Sequence, residues 1–248
     1  MDPLTLGLVA GGMLCAAFMY ASVGHGGASA YLAALALAGV APAEMRPVAL
    51  LLNILVSALG TYKFWRAGHF AWRLFWPFAV VSIPLAYAGG AIELPGSVYK
   101  ALVGVVLVYA GWQLWVSARL GAEMRNVRQP PLPAAMGIGA GLGFLSGLTG
   151  VGGGIFLSPV LLILGWAGTK QTSAVAAAFI LVNSVAGISA LFNARSAALP
   201  SYVWVLAAVV LAGGWLGAEY GSRRFANPVI RRMLGIVLAA AGVKMALV

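Results

Sequence analysis

Long apolar runs recur along the whole chain and constrain its fold more than any other feature of the sequence. Eight runs are separated by short polar or glycine-rich gaps and cover residues 4–18, 48–59, 74–92, 102–116, 155–166, 174–191, 203–218 and 233–248. Several approach the ~20 residues that a helix needs to span the hydrocarbon core of a bilayer. They lack the alternation of apolar and polar residues that marks a transmembrane β-barrel. The pattern predicts an all-α polytopic membrane protein.

Charged residues are too few to cover the surface of a water-soluble protein. Hydrophobic residues make up 62% of the 248-residue chain and charged residues 8%, against roughly 25% charged residues in soluble domains. The net charge of +10 is spread over the short gaps between apolar runs, as in the cytoplasmic loops of membrane proteins. We therefore expect membrane lipid, and not nucleic acid, as the macromolecular environment.

The two halves of the chain resemble each other. Residues 22–60 align with 148–186 at a constant offset of 126, and 98–111 match 229–242 at an offset of 131. The order of these matches indicates a duplication. The segment between the halves is charged and rich in proline, which is typical of a linker. The predicted organisation is a first repeat, a linker and a second repeat, over residues 1–120, 121–133 and 134–248.

Each predicted repeat opens with an apolar stretch that glycines interrupt. In the first half the two arms cover about 4–23 and 28–40. A second arm of this length is only ~20 Å long as a helix, which is too short to cross ~30 Å of hydrocarbon. Each repeat is therefore predicted to contain a broken, re-entrant-like helical hairpin followed by three transmembrane helices.

The distribution of lysine and arginine predicts the topology. If each broken stretch were one crossing, the 15 positive residues would divide 8 to 7 between the two sides. If each is a hairpin, they divide 11 to 4, with the minority being Arg46, Lys100, Arg195 and Lys244. The second division obeys the positive-inside rule. It makes the halves inverted repeats, as in many secondary transporters, in a cell (inner) membrane with both termini outside the cytoplasm.

The two glycine breaks are predicted to bind the substrate. Glycine frees backbone groups from the helix, and such groups are costly in lipid unless they face protein or a wet cavity. A helix that begins after the glycines directs its N–H groups and its positive dipole end into that cavity, which suits an anion. The alternative is that the glycines permit close helix packing. The candidate residues are Ser22, Gly24, His25, Gly26 and Gly27 in the first break and Thr149, Gly150, Gly152, Gly153 and Gly154 in the second.

Four polar residues outside the breaks are further candidates for substrate binding. Arg46 either anchors a helix end at the headgroups or draws anions in, and Thr172 aligns with it. Asn53 and Asn183 either join helices or line the pathway. Within the first break, His25 is either a hydrogen-bonded structural residue or a ligand donor or proton carrier. No lysine or arginine is obviously buried.

Several kinds of chemistry find no support in the sequence. The five acidic residues fall near predicted segment ends, so none offers a buried carboxylate for cations or protons; they are Asp2, Glu44, Glu93, Glu123 and Glu219. No His/Cys/Asp cluster has the spacing of a metal site, and no Walker loop is present. We expect no catalytic residue, metal or cofactor, and the single cysteine, Cys15, forms no intrachain disulfide.

The glycine breaks also resemble those of a known family. The second half contains Gly150-Val151-Gly152-Gly153-Gly154-Ile155-Phe156-Leu157-Ser158-Pro159, followed by Thr172-Ser173-Ala174, and the first half contains Ser22-Val23-Gly24-His25-Gly26-Gly27-Ala28. Both strings are similar to the TauE/SafE sulfite exporter family. The first half departs from the usual pattern at His25, Ala28 and Ala33. The resemblance covers nearly the whole chain and implies a permease for sulfite, an organosulfonate or a related sulfur-containing anion. With the cell interior negative, the membrane potential favours export of such an anion. The alternatives are a non-transport membrane subunit of a larger complex and an intramembrane enzyme, and the oligomeric state stays open.

Overall fold

The structure, a computed structural model, describes residues 2–117, 128–194, 199–223, 239 and 242–243. These residues form nine α-helices and no strand, which confirms the all-α class. The helices are α1 (Pro3–Ala21), α2 (Ala28–Leu37), α3 (Pro42–Arg66), α4 (Trp72–Ala91), α5 (Gly96–Ser117), α6 (Leu132–Thr149), α7 (Gly154–Ile163), α8 (Thr169–Ala194) and α9 (Val203–Arg223). Most of the predicted linker and the apolar run at 233–248 lie outside the described residues.

Six of the described helices are long and apolar enough to cross a membrane, namely α1, α3, α4, α6, α8 and α9. This confirms the prediction of a multi-pass membrane protein. The short helices α2 and α7 have 10 residues each, so each is ~15 Å long and cannot cross the hydrocarbon alone.

Local sequence explains where several helices begin. The Asp2 carboxylate caps α1 by accepting a hydrogen bond of 2.9 Å from the Thr5 N–H. Hydrogen bonding to the Thr5 side chain and, secondarily, to its backbone N–H lowers the pKa of the Asp2 carboxyl. Helix α6 begins at Leu132, two residues before the predicted start of the second repeat. Proline is tolerated there because the N–H groups of a first helical turn have no partner within the helix. Pro133 therefore lies in the first turn of α6.

Each short helix returns toward the end of the bundle from which its hairpin started. The Arg128 N–H, just before α6, donates to the Gly165 carbonyl, just after α7, at 2.9 Å. In the first half, Thr5 and Leu8 near the start of α1 line the same groove as Leu37 and Ala38 at the end of α2. The described residues thus form two broken hairpins, one in each half.

The halves interlock. Helix α1 packs along α9, α6 packs along α4, and α3 packs along α8 at the centre. Two rows of glycines allow the first two of these contacts, because a β-carbon at any of them would overlap a backbone carbonyl of the facing helix. The rows are Gly139, Gly143 and Gly147 on α6, facing α4, and Gly213, Gly217 and Gly221 on α9, facing α1. The inverted relation of the two halves stays a prediction.

Two ends of the bundle can be distinguished. At the first end, which we call the vestibule end, the start of α3 lies near the α4–α5 and α8–α9 connections around a cavity of about 720 Å³. At the opposite end, which we call the ion-pair end, Lys63 of α3 lies 2.5 Å from the Glu219 carboxylate of α9, and Arg223 lies 2.6 Å from the same side chain.

Candidate functional site

Both helix breaks occur where the glycines predict them. Helix α1 ends at Ala21 and α2 begins at Ala28, while α6 ends at Thr149 and α7 begins at Gly154. The residues before the new helices are Gly27 with φ of 95° and Gly153 with φ of 77°, in the left-handed region that favours glycine. Neither glycine can cap its helix with a side chain. The first N–H groups of α2 and α7 are therefore left to other partners.

Asn53 of α3 joins the two breaks. Its Oδ1 accepts a hydrogen bond from the Ala28 N–H at the start of α2, at 3.3 Å. Its Nδ2 donates to the Val151 carbonyl in the second break at 3.3 Å and to Ser184 Oγ of α8 at 3.0 Å. The side chain is completely buried. One amide thus ties the start of α2, the second break and α8 together.

Gly26 and Gly152 pack against this amide. A β-carbon at Gly26 would overlap the Asn53 Oδ1, and one at Gly152 would overlap the Asn53 Nδ2. The same β-carbons would lie 3.1 Å and 2.8 Å from the Cγ2 of Ile180 on α8. The close approach leaves no room for a side chain at either position. The two breaks, 126 residues apart in sequence, therefore meet on either side of one side chain.

A polar cluster surrounds the first break. His25 Nε2 lies 3.0 Å from Ser158 Oγ of α7, and the His25 ring meets the Tyr20 ring edge-on, with 6.2 Å between their centroids. The Tyr20 hydroxyl and Ser29 Oγ are 2.8 Å apart. His25 is only 8% exposed, so its pairing with Ser158 links the first break to the second half. Sequence reasoning missed Tyr20, Ser29 and Ser158, although all three stand in or beside the quoted motifs.

Arg46 is buried, which corrects two expectations. Its exposed fraction is 6%, so it does not anchor a helix at the headgroups. It is also a buried cation, although no lysine or arginine is obviously buried by sequence. The guanidinium donates to four backbone carbonyls where α4 and α6 end: Gly89 at 2.8 Å, Gly90 at 2.9 Å, Ile92 at 3.1 Å, and Gly147. Helix C-termini carry partial negative charge, and these carbonyls compensate the buried cation.

The cavity at the vestibule end leads toward the second break. Its lining includes Glu44, Arg46, Glu93 and Tyr99. The Tyr99 hydroxyl donates to the Thr149 carbonyl at 3.1 Å, so the floor of the cavity touches the end of α6. At its rim, the Tyr202 hydroxyl donates to the Glu44 carboxylate at 3.0 Å. Desolvation and, secondarily, this carboxylate raise the pKa of Tyr202.

Three of the other predicted site residues make local hydrogen bonds. Ser22, Thr149 and Asn183 donate to carbonyls one helical turn earlier, those of Met19, Leu145 and Phe179, at 2.7 Å, 2.7 Å and 2.8 Å. Gly24 lies against the backbone of Ser173, Gly150 against Arg46, and Gly154 against Ile180. Thr172 is buried, and its Oγ1 has no hydrogen-bond partner among the described residues. Within that same part of the chain, no three His, Cys, Asp or Glu side chains could jointly hold a metal ion.

The described helices surround two interrupted hairpins, and the interruptions meet in the core. This arrangement defines a multi-pass membrane protein of the transporter type. The chain belongs to the sulfite exporter TauE/SafE family, whose model matches residues 8–245. The family resemblance of the glycine motifs is thereby confirmed, and the protein is a membrane transporter of that family.

Two relatives agree with this assignment. The chain is 42% identical over 236 residues to the probable membrane transporter protein y4hK of Sinorhizobium fredii (strain NBRC 101917 / NGR234), covering 92% of this chain and 93% of the relative. It is 24% identical over 230 residues to the probable membrane transporter protein ORF9 of a Sinorhizobium species, covering 90% and 86%. No solved structure matches the chain.

Proposed function

We propose that the protein is a secondary permease that exports a small sulfur-containing anion, such as sulfite or an organosulfonate, across the cell (inner) membrane. One observation carries the proposal: the start of α2 and the second break, which immediately precedes α7, meet at Asn53, deep within a membrane bundle. Two helices that begin at or just after this point offer N–H groups and positive dipole ends to an anion. The family description, which names sulfite export, supports the substrate class.

The proposed site recognises charge with neutral groups. The buried guanidinium of Arg46 already donates to four carbonyls, so we assign substrate binding mainly to backbone N–H groups, with hydroxyl and amide side chains beside them. A fully charged site would hold an anion too tightly for release and would be costly to bury. Neutral donors suit a protein that must both bind and release its substrate.

The membrane potential supplies a driving force for export. With the cell interior negative, an anion of one charge gains ~2.3 kcal/mol per 100 mV when it leaves. The described acids Asp2, Glu44, Glu93 and Glu219 lie at or near helix ends, away from the meeting point of the breaks. Export therefore needs no coupled cation, whereas uptake would need a proton carrier, for which His25 is the candidate.

The packing supports two inverted repeats. In the repeat alignment α1 corresponds to α6 and α4 to α9, and the observed pairs α1–α9 and α4–α6 exchange under that correspondence. The central pair α3–α8 exchanges with itself. A two-fold relation between halves produces this pattern, and a two-fold axis in the membrane plane would let the same site be approached from both sides in turn.

The proposal is tested by anion flux in liposomes that contain the purified protein. Sulfite, sulfoacetate, thiosulfate and sulfate are compared with and without an imposed potential. We expect sulfite or sulfoacetate to move faster than sulfate, and to move faster still when the potential drives the anion outward. Protein that is folded but moves none of the four anions under either condition would refute the proposal.

A matched pair of glycine variants tests whether the breaks form the transport site. A β-carbon at Gly153 would lie 2.9 Å from Phe179, at a φ of 77° that side chains rarely adopt. A β-carbon at Gly168, between α7 and α8, would meet nothing within 4 Å. We expect Gly153→Val to abolish flux while the protein stays folded in the membrane, and Gly168→Val to retain flux. Unchanged flux in Gly153→Val would reduce the break to a packing feature.

A further inference from the structure

We infer that Tyr31 binds the substrate, with its hydroxyl and the start of α2 forming an oxyanion subsite at the first break. The inference rests on the proposed function and deepens it, because it assigns selectivity to one of the two breaks. Tyr31 is not among the residues that the sequence singled out.

The Tyr31 hydroxyl is buried without a partner. The side chain is completely buried, and its hydroxyl oxygen makes no hydrogen bond to any described residue. Leaving such a group unpaired costs free energy that a phenylalanine would avoid. Tyr20, at the other side of the same break, pairs its hydroxyl with Ser29 at 2.8 Å. Tyr31 thus carries a donor that the resting protein does not use.

This donor lies at the helix start. Tyr31 is the fourth residue of α2 and folds back over Gly27, where a β-carbon would be 2.6 Å from the Tyr31 hydroxyl oxygen. The Ser29 and Ala30 N–H groups in the same turn donate to no other described residue. A hydroxyl and two N–H groups are therefore gathered at the positive end of one helix.

The chemistry of these groups selects the ligand class. All three donate, and the several oxygen acceptors of a sulfite or sulfonate group can each take one of these donors at once. The subsite therefore fits the oxygens of a sulfite or sulfonate group.

The two breaks differ at this position. In the repeat alignment Leu157 stands where the first half has Tyr31, and Ser146 stands where it has Tyr20. The second helix start thus lacks the phenol, and a β-carbon at its Gly153 would meet the Phe179 ring. We assign recognition of the oxyanion to the first break, and the second break contributes only backbone groups and its dipole.

The substitution Tyr31→Phe tests the inference, because it removes one oxygen atom and keeps the ring. The melting temperature of the purified protein is measured with and without sulfite, followed by flux at increasing sulfite concentration. Without sulfite, we expect the variant to melt at the same or a higher temperature than the wild type. The KM for sulfite should rise about tenfold or more, as for one lost hydrogen bond to an anion, and stabilisation by sulfite should shrink accordingly.

Tyr62→Phe is the matched control. Tyr62 lies near the end of α3 at the ion-pair end, is 44% exposed, and its hydroxyl accepts a hydrogen bond from Arg66 at 3.1 Å, so its variant should keep the wild-type KM. An unchanged KM and unchanged stabilisation by sulfite in Tyr31→Phe, with active wild type, would overturn the inference. So would failure of this variant to fold, since the hydroxyl would then be structural. Absence of both flux and stabilisation in the wild type would instead overturn the proposed function.

Discussion

Asn53 and Asn183 are equally buried amides in two helices that correspond in the repeat alignment, but their hydrogen bonds differ. Asn53 bonds to the start of α2, the second break and α8, whereas Asn183 donates to Phe179 within its own helix. The alignment places Asn183 opposite Ser57 and not Asn53, one helical turn away. A shift of one turn separates an amide that joins three segments from one that bonds locally. Sequence identifies both residues but cannot assign these partners.

His25 distinguishes transport that depends on a titrating side chain from transport that depends on the backbone. Its Nε2 lies 3.0 Å from Ser158 Oγ, a contact that a glutamine amide can also make. If backbone N–H groups bind the anion, His25→Gln should keep the pH profile of flux between about pH 5 and 8, where histidine titrates, and lose only part of the rate. We expect this result from flux measured across that range.

The second histidine of the chain, His69 between α3 and α4, provides the matched control, and His69→Gln should leave both rate and profile unchanged. A flattened profile in His25→Gln alone would show that His25 carries the charge or the proton. Complete loss of anion binding, with folding intact, would likewise contradict the backbone account.

Arg46 shows where residue-level reasoning from sequence fails. The pattern Glu44-Met45-Arg46-Pro47 before an apolar run is typical of a helix end at the membrane surface. In the structure, helix α3 begins at Pro42, and Arg46 is covered by the ends of α4 and α6. The carbonyls that satisfy it come from residues 43 to 101 positions away along the chain. No local pattern announces such partners.

At the scale of elements, the glycines of α6 divide into two faces. Gly139, Gly143 and Gly147 face α4 at backbone contact, whereas Gly137 and Gly141 have nothing within 4 Å of an added β-carbon. Small residues that let helices approach closely are a recurrent device in membranes. The packing interpretation of glycine therefore holds for the row that faces α4, while the glycines at the breaks form the turns and belong to the site that we propose.

Two alanine substitutions on the same helix test this division. Gly143→Ala places a β-carbon into the Ser82 carbonyl of α4 and should destabilise the protein by about 1–3 kcal/mol through overpacking. Gly141→Ala removes a glycine from an open helix face and should be neutral or stabilising by up to about 1 kcal/mol. Thermal unfolding in detergent measures both. Equal effects of the two substitutions would show that α6 and α4 do not meet at the glycines.

Much of the element-level architecture follows from the sequence, for identifiable reasons. Apolar runs give the long helices because the length of a span is fixed by the bilayer. The glycine runs give the breaks to within a residue or two because the residue before each new helix requires a positive φ, as at Gly27 and Gly153. The partners of the helices could not be predicted. The pairs α1–α9 and α4–α6 depend on which face each glycine row presents, and that depends on the whole bundle.

At the scale of the whole molecule, the two ends differ in charge. Six of the positive residues that the structure describes lie at the ion-pair end, namely Lys63, Arg66, Arg73, Arg128, Lys170 and Arg223. The other two, Arg46 and Lys100, lie toward the vestibule end. Trp65 and Trp72 at the ion-pair end are 61% and 64% exposed, and Trp204 at the vestibule end is 65% exposed, as expected for aromatic residues at the two membrane interfaces. The positive-inside rule then predicts that the ion-pair end faces the cytoplasm.

Cysteine labelling tests this orientation and the relation of the two halves together. In a background with Cys15 replaced by serine, single cysteines are introduced at Ala67, after α3, and at Ser97, in the first turn of α5, both of which are exposed. Two more are placed at Asn126 in the linker and at Val248, outside the described residues. A membrane-impermeant thiol reagent should label Ser97→Cys and Val248→Cys from outside intact cells. It should label Ala67→Cys and Asn126→Cys only after the membrane is opened, because positive loops remain in the cytoplasm.

A reversed pattern at all four positions would invert the orientation and leave the fold unchanged. Labelling of positions 126 and 248 from the same side would contradict the inverted repeats, because halves that each contain a returning hairpin and three crossings must end on opposite sides.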